Sequence, residues 1–97
     1  MYWAPELLLG EPYSHKIDIW ALGVSLYAIA TGETPFSCHD EETFREDVFS
    51  SHVDYSRLAT NTRLKMIIQQ CLNCNPKDRW DASFILSFIQ EDFAIEI

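Results

Sequence analysis

Between Ser14 and Gly32 the chain carries apolar residues that follow no single stripe. Ile17, Ile19, Trp20, Leu22, Val24, Leu26, Tyr27 and Ile29 cover most of the circumference of a helix. A helix that is apolar all round is one enclosed by protein. Its ends are marked in the sequence: Ser14 is placed to cap the start through Lys16, Gly32 supplies a left-handed stop, and Pro35 bars resumption. The nearly apolar run at 19–30 is too short to cross a bilayer and contains Gly23 and Ser25, so no membrane span is expected. Any fold for this chain must therefore supply a partner for a central, wholly greasy rod.

Three further segments read as amphipathic helices. The first has Asp40 as cap, Glu41 and Glu42 at the positive end of the helix, and Phe44, Val48 and Phe49 as its apolar residues; it is expected to be short and partly exposed. The next starts near Asn61, sets Leu64, Ile67, Ile68, Cys71 and Leu72 on one face, and ends before Pro76. The last is capped by Asp81 and turns Phe84, Ile85, Phe88 and Ile89 inward ahead of a tail at 93–97. Loops fall at 33–39, 50–60 and 73–80, and no strand-like alternation of useful length appears. The expected fold class is all-α, with four main helices.

Charge and cysteine content narrow the function. The 97 residues hold 7 Lys+Arg against 15 Asp+Glu, a net charge of -8, with the cations dispersed, so a phosphate backbone finds no basic stripe and nucleic-acid binding is disfavoured. At 47% apolar the chain has material for one modest core, either a single domain or a piece of a larger one. Cys38, Cys71 and Cys74 are an odd number without a secretory leader, which points away from a disulfide framework and toward the cytosol or nucleus. Cys71 and Cys74 with Cys38 and His39 would make four soft metal ligands. Cys71, however, falls on an apolar helix face, where a buried thiol is the simpler account, and no metal is assigned. His15 and His52 read as isolated and solvated.

Five motifs occur in order: Tyr2-Trp3-Ala4-Pro5-Glu6; Lys16-Ile17-Asp18-Ile19-Trp20-Ala21-Leu22-Gly23-Val24; Gly32-Glu33-Thr34-Pro35-Phe36; Cys71-Leu72; and Asn75-Pro76-Lys77-Asp78-Arg79. In order and spacing the chain resembles the C-terminal part of a eukaryotic protein kinase domain, over essentially all of residues 1–97. The Tyr-x-Ala-Pro-Glu form followed by Asp-Ile-Trp-Ala-Leu-Gly looks like the serine/threonine branch. The resemblance implies the lower half of the kinase large lobe, from the end of the activation segment through the last helices.

That resemblance implies roles for particular residues. Glu6 and Arg79 would form a partly buried ion pair tying the activation segment to the loop before the last helix; a planar guanidinium suits a carboxylate better than Lys would. Without the resemblance both would read as solvated surface charges. Asp18 would anchor the catalytic loop, which is not in this sequence, and so would face absent structure; its plain reading is an acid favouring the start of its helix. Tyr2, Trp3 and Ala4 would belong to the loop that receives the substrate residue after the phosphorylated one, with Trp3 as a wall; otherwise Trp3 is a terminal aromatic of no fixed position. Trp20, Gly23, Val24 and Tyr27 lie on the central helix, and its large residues read as core with or without the resemblance. Many basic-directed kinases carry Glu after Leu-Tyr; here Ala28 follows Leu26-Tyr27, which puts selection of an upstream Arg in doubt.

Phosphoryl transfer by a kinase needs a Gly-rich loop, a strand Lys, a catalytic-loop Asp with its Asn, and the Asp of Asp-Phe-Gly. None can be written in this sequence, whose glycines are Gly10, Gly23 and Gly32. No catalytic, cofactor or metal residue is therefore assigned; ATP and Mg would belong to a full-length parent. Two functions follow. The chain is an incomplete copy of a serine/threonine kinase, inactive alone, that docks protein substrates and packs against a missing N-terminal kinase portion. Alternatively it is a non-catalytic, pseudokinase-like interaction module. In-frame His-Arg-Asp and Asp-Phe-Gly codons upstream of Met1 would favour the first.

Overall fold

Helix boundaries follow the caps and breakers closely. The computed structural model describes residues 3–36, 40–50 and 53–96. Its helices are α1 (Pro5–Leu8), α2 (Lys16–Thr31), α3 (Glu41–Ser50), α4 (Thr62–Cys71) and α5 (Ala82–Glu96), with a 3-10 turn at Ser56–Leu58. No strand occurs among the described residues. The four main helices stand where expected. The short α1 begins at Pro5, whose fixed φ suits the first helical position.

Caps explain most of the ends. Asn61 accepts a hydrogen bond from the Leu64 amide at 3.1 Å, Asp40 one from Thr43 at 2.7 Å, and Asp81 one from Phe84 at 3.1 Å. Gly32 closes α2 at φ 77°, a left-handed conformation that other residues adopt at a cost. Ser14 departs from expectation. Its hydroxyl accepts from the Lys16 amide at 3.2 Å, but the residue flanking α2 is His15, whose side chain makes no capping bond. The hydroxyl forms a local turn two residues on, so the helix starts one residue later.

The core is built on one side of α2. Trp20, Val24 and Tyr27 are buried with Ala4, Phe36, Phe44, Val48, Leu58, Ile68 and Leu72. Trp20 stacks on Phe36 with ring centroids 5.5 Å apart, and Phe36 meets Phe44 edge-on at 6.3 Å. Such pairs add about 0.5–1.5 kcal/mol each beyond their area. Tyr27 also donates its hydroxyl to the Asp54 carbonyl at 2.5 Å, fixing the segment before the 3-10 turn. A second cluster of Ile19, Ile67, Cys71 and Ile85 links α2, α4 and α5. Gly23 sits where α4 presses closest, because a Cβ there would meet the Cys71 Cβ at 2.6 Å and Leu72 Cδ2 at 3.0 Å.

Three expectations about faces and one about a helix end are corrected. Leu22 is 39% and Ile29 82% exposed, so the described residues cover only part of α2. In α5 Ile85 is buried and Phe88 half-buried, but Phe84 is 53% and Ile89 38% exposed. The inward positions are taken by Ile85 and by Trp80 of the preceding loop, whose ring lies 4.5 Å from Phe84 and 5.2 Å from Phe88. Helix α5 also runs on to Glu96 where a tail was expected. Phe49 is exposed rather than packed, and carries the Arg45 guanidinium 5.7 Å from its ring centroid.

Candidate functional site

The Asn73–Arg79 loop and the entry to α2 meet on one buried cation. Arg79 is 1% exposed and Glu6 5%. The two guanidinium ends of Arg79 donate to the two Glu6 oxygens, at 2.8 Å and 3.0 Å, a bidentate match that a lysine cannot make. The remaining donors are used on backbone: Nε to the Asn73 carbonyl at 3.0 Å and one terminal nitrogen to the Lys16 carbonyl at 2.9 Å. The Trp20 ring lies 5.1 Å from the guanidinium carbon, an attractive cation–π distance. Burial pushes the Glu6 carboxyl up, but the hydrogen bonds and charge of Arg79, with a backbone bond, hold it below its ordinary value.

Lys16 answers Arg79 in kind. While its carbonyl accepts from the guanidinium, its own ammonium donates to the Pro76 carbonyl at 3.2 Å and to the Arg79 carbonyl. Sequence reasoning gave Lys16 no role, though it opens the run through Asp18 and Trp20 and is the only cation there. Glu6, Lys16 and Arg79 thus bind α1, the start of α2 and the 73–79 loop into one unit. Chemically this unit positions; it offers no base or nucleophile, because both ends of the Glu6 carboxylate are engaged.

The other expected site residues are dispersed. The Asp18 carboxylate is exposed, with no side-chain partner among the described residues. Tyr2 lies outside the described residues, as do Cys38, His39 and His52. Ala4 is buried, whereas Trp3 is 61% exposed. Trp3 forms one wall of an open depression of about 370 Å³ completed by Leu8, Glu41, Phe44 and Arg45. Cys71 is buried against Gly23, and burial pushes its thiol up to about 11. Cys74 donates its thiol to the Val48 carbonyl at 3.3 Å. Among the described residues no group of three or more His, Cys, Asp or Glu is arranged to hold a metal ion, and no helix is long and apolar enough to cross a membrane.

A helical unit in which the buried Glu6 is gripped by an Arg ahead of the last helix fits the large lobe of a protein kinase domain. The comparisons agree. The pattern of the protein kinase domain matches residues 1–89, and the chain belongs to the protein kinase family. It is 35% identical over 85 residues to the calcium/calmodulin-dependent protein kinase type II alpha chain of Drosophila melanogaster, covering 84% of this chain and 16% of that one. To the cell cycle serine/threonine-protein kinase CDC5/MSD2 of Saccharomyces cerevisiae it is 32% identical over 91 residues, covering 91% of this chain and 13% of that one. Among solved structures, the Rad53 kinase domain with SCD2, in complex with AMPPNP, superposes with a TM-score of 0.78 at 26% identity, covering 90% of this chain and 36% of that one. The chain therefore spans a small part of the length of these relatives.

No stretch of the chain can write the glycine-rich phosphate loop, and the described acids include no cluster to hold a cation.

Proposed function

We propose that this chain is the structural base of a serine/threonine protein kinase domain. In this reading it carries the end of the activation segment, supports the catalytic loop through Asp18, and offers the Trp3 loop to protein substrates. Phosphoryl transfer from ATP and Mg would be done by a further N-terminal kinase portion. The observation that supports this best is the bidentate, buried Glu6–Arg79 pair, because a free-standing helical bundle has no use for so costly a tie between its first turn and a late loop. The exposed Asp18 fits too, since an acid that anchors a loop in the parent has no partner without it.

The test is a chimera. These 97 residues replace the matching segment of the Drosophila calcium/calmodulin-dependent kinase, and transfer of labelled phosphate to a serine peptide is measured. Transfer that Arg79→Ala removes supports the reading, while the chain alone with ATP, Mg and protein substrates should transfer nothing. Turnover by the isolated chain, lost on a point mutation within it, overturns the reading. The outward Leu22 and Ile29 suit a second reading, a non-catalytic interaction module. A folded but inactive chimera favours that one.

A further inference from the structure

Of the tyrosines that the structure describes, only Tyr13 is exposed, at 63%. Tyr27 is buried and donates its hydroxyl to the Asp54 carbonyl, and Tyr55 is half-buried against it with ring centroids 6.2 Å apart. The Tyr13 hydroxyl has no partner among the described residues, and its amide and carbonyl make no backbone hydrogen bond there. Every residue from Leu9 to His15 is exposed, and Glu11 to Ser14 belong to no helix or turn. A segment so lightly held can enter the site of a modifying enzyme without disturbing the core.

Tyr13 also lines a depression of about 440 Å³ whose charge runs against that of the chain. His15, Lys16 and Lys77 share its wall with Pro76, in a protein of net charge -8. The Lys77 ammonium is exposed and has no partner among the described residues. Lys16 commits two of its three ammonium protons to the Pro76 and Arg79 carbonyls, which leaves one. Glu6 is the one acid among the described residues of that lining, and Arg79 occupies both its oxygens. Asp78 and Asp81 follow along the chain, but Asp78 accepts from the Asn75 amide at 3.1 Å and Asp81 caps α5.

We propose that Tyr13 is a phosphorylation site, and that its phosphate is received by Lys77 and the third ammonium proton of Lys16, with His15 beside them. A tyrosine-directed protein kinase supplies the group from ATP. The phenolic oxygen of Tyr13 bonds to the γ-phosphorus as the bond from that phosphorus to the β–γ bridging oxygen breaks; ADP leaves, and the phenolic proton passes to the base of the transferring enzyme. The product carries about −1.5 to −2 charge at pH 7 and three strong acceptor oxygens, which ammonium groups meet with charge-assisted hydrogen bonds. On Tyr27 or Tyr55 the same group would have to be forced into the core. Ser14, the exposed neighbour, already uses its hydroxyl on the Lys16 amide. The phosphate ties the segment before α2 to the 73–79 loop, which Arg79 fastens to Glu6 beneath, and so adds a tie that can be switched. The proposal is independent of the kinase reading, because Tyr13 here receives a phosphate and no activity of this chain is involved.

In the experiment the 97-residue chain carrying Tyr2→Phe is incubated with ATP, Mg and a soluble tyrosine kinase of broad specificity, and tandem mass spectrometry locates the phosphate. Tyr13 should be filled at least about tenfold faster than Tyr27 or Tyr55, which react only through opening of the fold. Phosphorus NMR then reads the surroundings of the group. Nearby ammonium groups favour the dianion, so the second ionisation of the phosphotyrosine, ordinarily about 6, should lie about 0.5 lower in the folded chain than in the same chain unfolded in urea. Lys77→Gln should restore at least half of that difference, and Arg57→Gln, which removes a cation elsewhere on the surface, should restore none. Lys77 and Arg57 are exposed, and circular-dichroism melts check that the variants keep their fold. No phosphate on Tyr13, equal rates at Tyr27 or Tyr55, or an ionisation that is the same folded and unfolded or indifferent to Lys77→Gln would overturn the proposal.

Discussion

Gly23 and Cys71 face each other across α2 and α4 with no room for a methyl group: a Cβ built on Gly23 would lie 2.6 Å from that of Cys71. In an exposed helix, Gly→Ala gains about 1 kcal/mol from propensity. Here the overlap falls on a rigid Cβ rather than on a flexible tip, so the helices must move apart, at about 1–3 kcal/mol. Gly23→Ala is therefore expected to lower the urea midpoint of the chain. A raised midpoint would show that the two helices are not in this contact.

Glu6 and Arg79 should fail together rather than separately. Glu6→Gln or Arg79→Met strands the other charge in a buried place and is expected to cost about 3–5 kcal/mol. The double variant should cost less than the sum, which a double-mutant cycle in urea reads directly. The pH dependence has a definite sign. The folded Glu6 pKa lies below its ordinary 4.5, so this contribution is complete above that value and is lost as pH falls through the folded one. An acid limb unchanged by Glu6→Gln would count against the pair as a source of stability.

How far the fold could be read in advance differs between α4 and α5. Helix α4 was legible because Asn61 caps it, and Ile67, Ile68, Cys71 and Leu72 fall on one face that has α2 to cover it. Helix α5 shows as clear a pattern, yet Phe84 and Ile89 point out, because periodicity tells which residues share a face and not how much partner that face will find. Trp80 decided the matter from a loop, where no period operates. Helix α1 was missed for its length, since four residues carry no period, though Pro5 marked its start. At the site, the pairing of Glu6 with Arg79 was implied by the family resemblance, since each alone reads as a solvated charge. Lys16 could not, because its partners are backbone carbonyls, which every residue has.

Cys71 should be chemically silent in the folded chain. Burial raises its thiol to about 11 from an ordinary 9.0, and the thiolate is the reactive form. Its reaction with a disulfide reagent at pH 8 should be detectable only after urea is added, as followed by mass mapping of the labelled peptide. The same shift weakens the fold at high pH. The folded state holds its proton where the unfolded chain has released it, so stability falls as pH rises from about 9 toward 11. The half-buried Tyr55 hydroxyl, raised to about 12 by burial, extends the decline. Labelling of native Cys71 as fast as of the denatured chain would contradict its place against Gly23.

The outward apolar residues of α2 and α5 make the last prediction. Ile29 at 82%, Leu86 at 55% and Phe84 at 53% exposure are held in regular helices with nothing over them among the described residues. An amphiphilic dye such as anilinonaphthalene sulfonate should bind the chain at neutral pH, or the chain should self-associate. Ile29→Ser and Leu86→Ser remove apolar surface without opening a cavity. They should therefore reduce dye fluorescence while changing stability by no more than about 0.5 kcal/mol. If instead the dye signal stays and the melt collapses, these side chains are packed against something, and the exposed side of α2 is part of the core. A dye-silent monomer would likewise show that α2 is already covered.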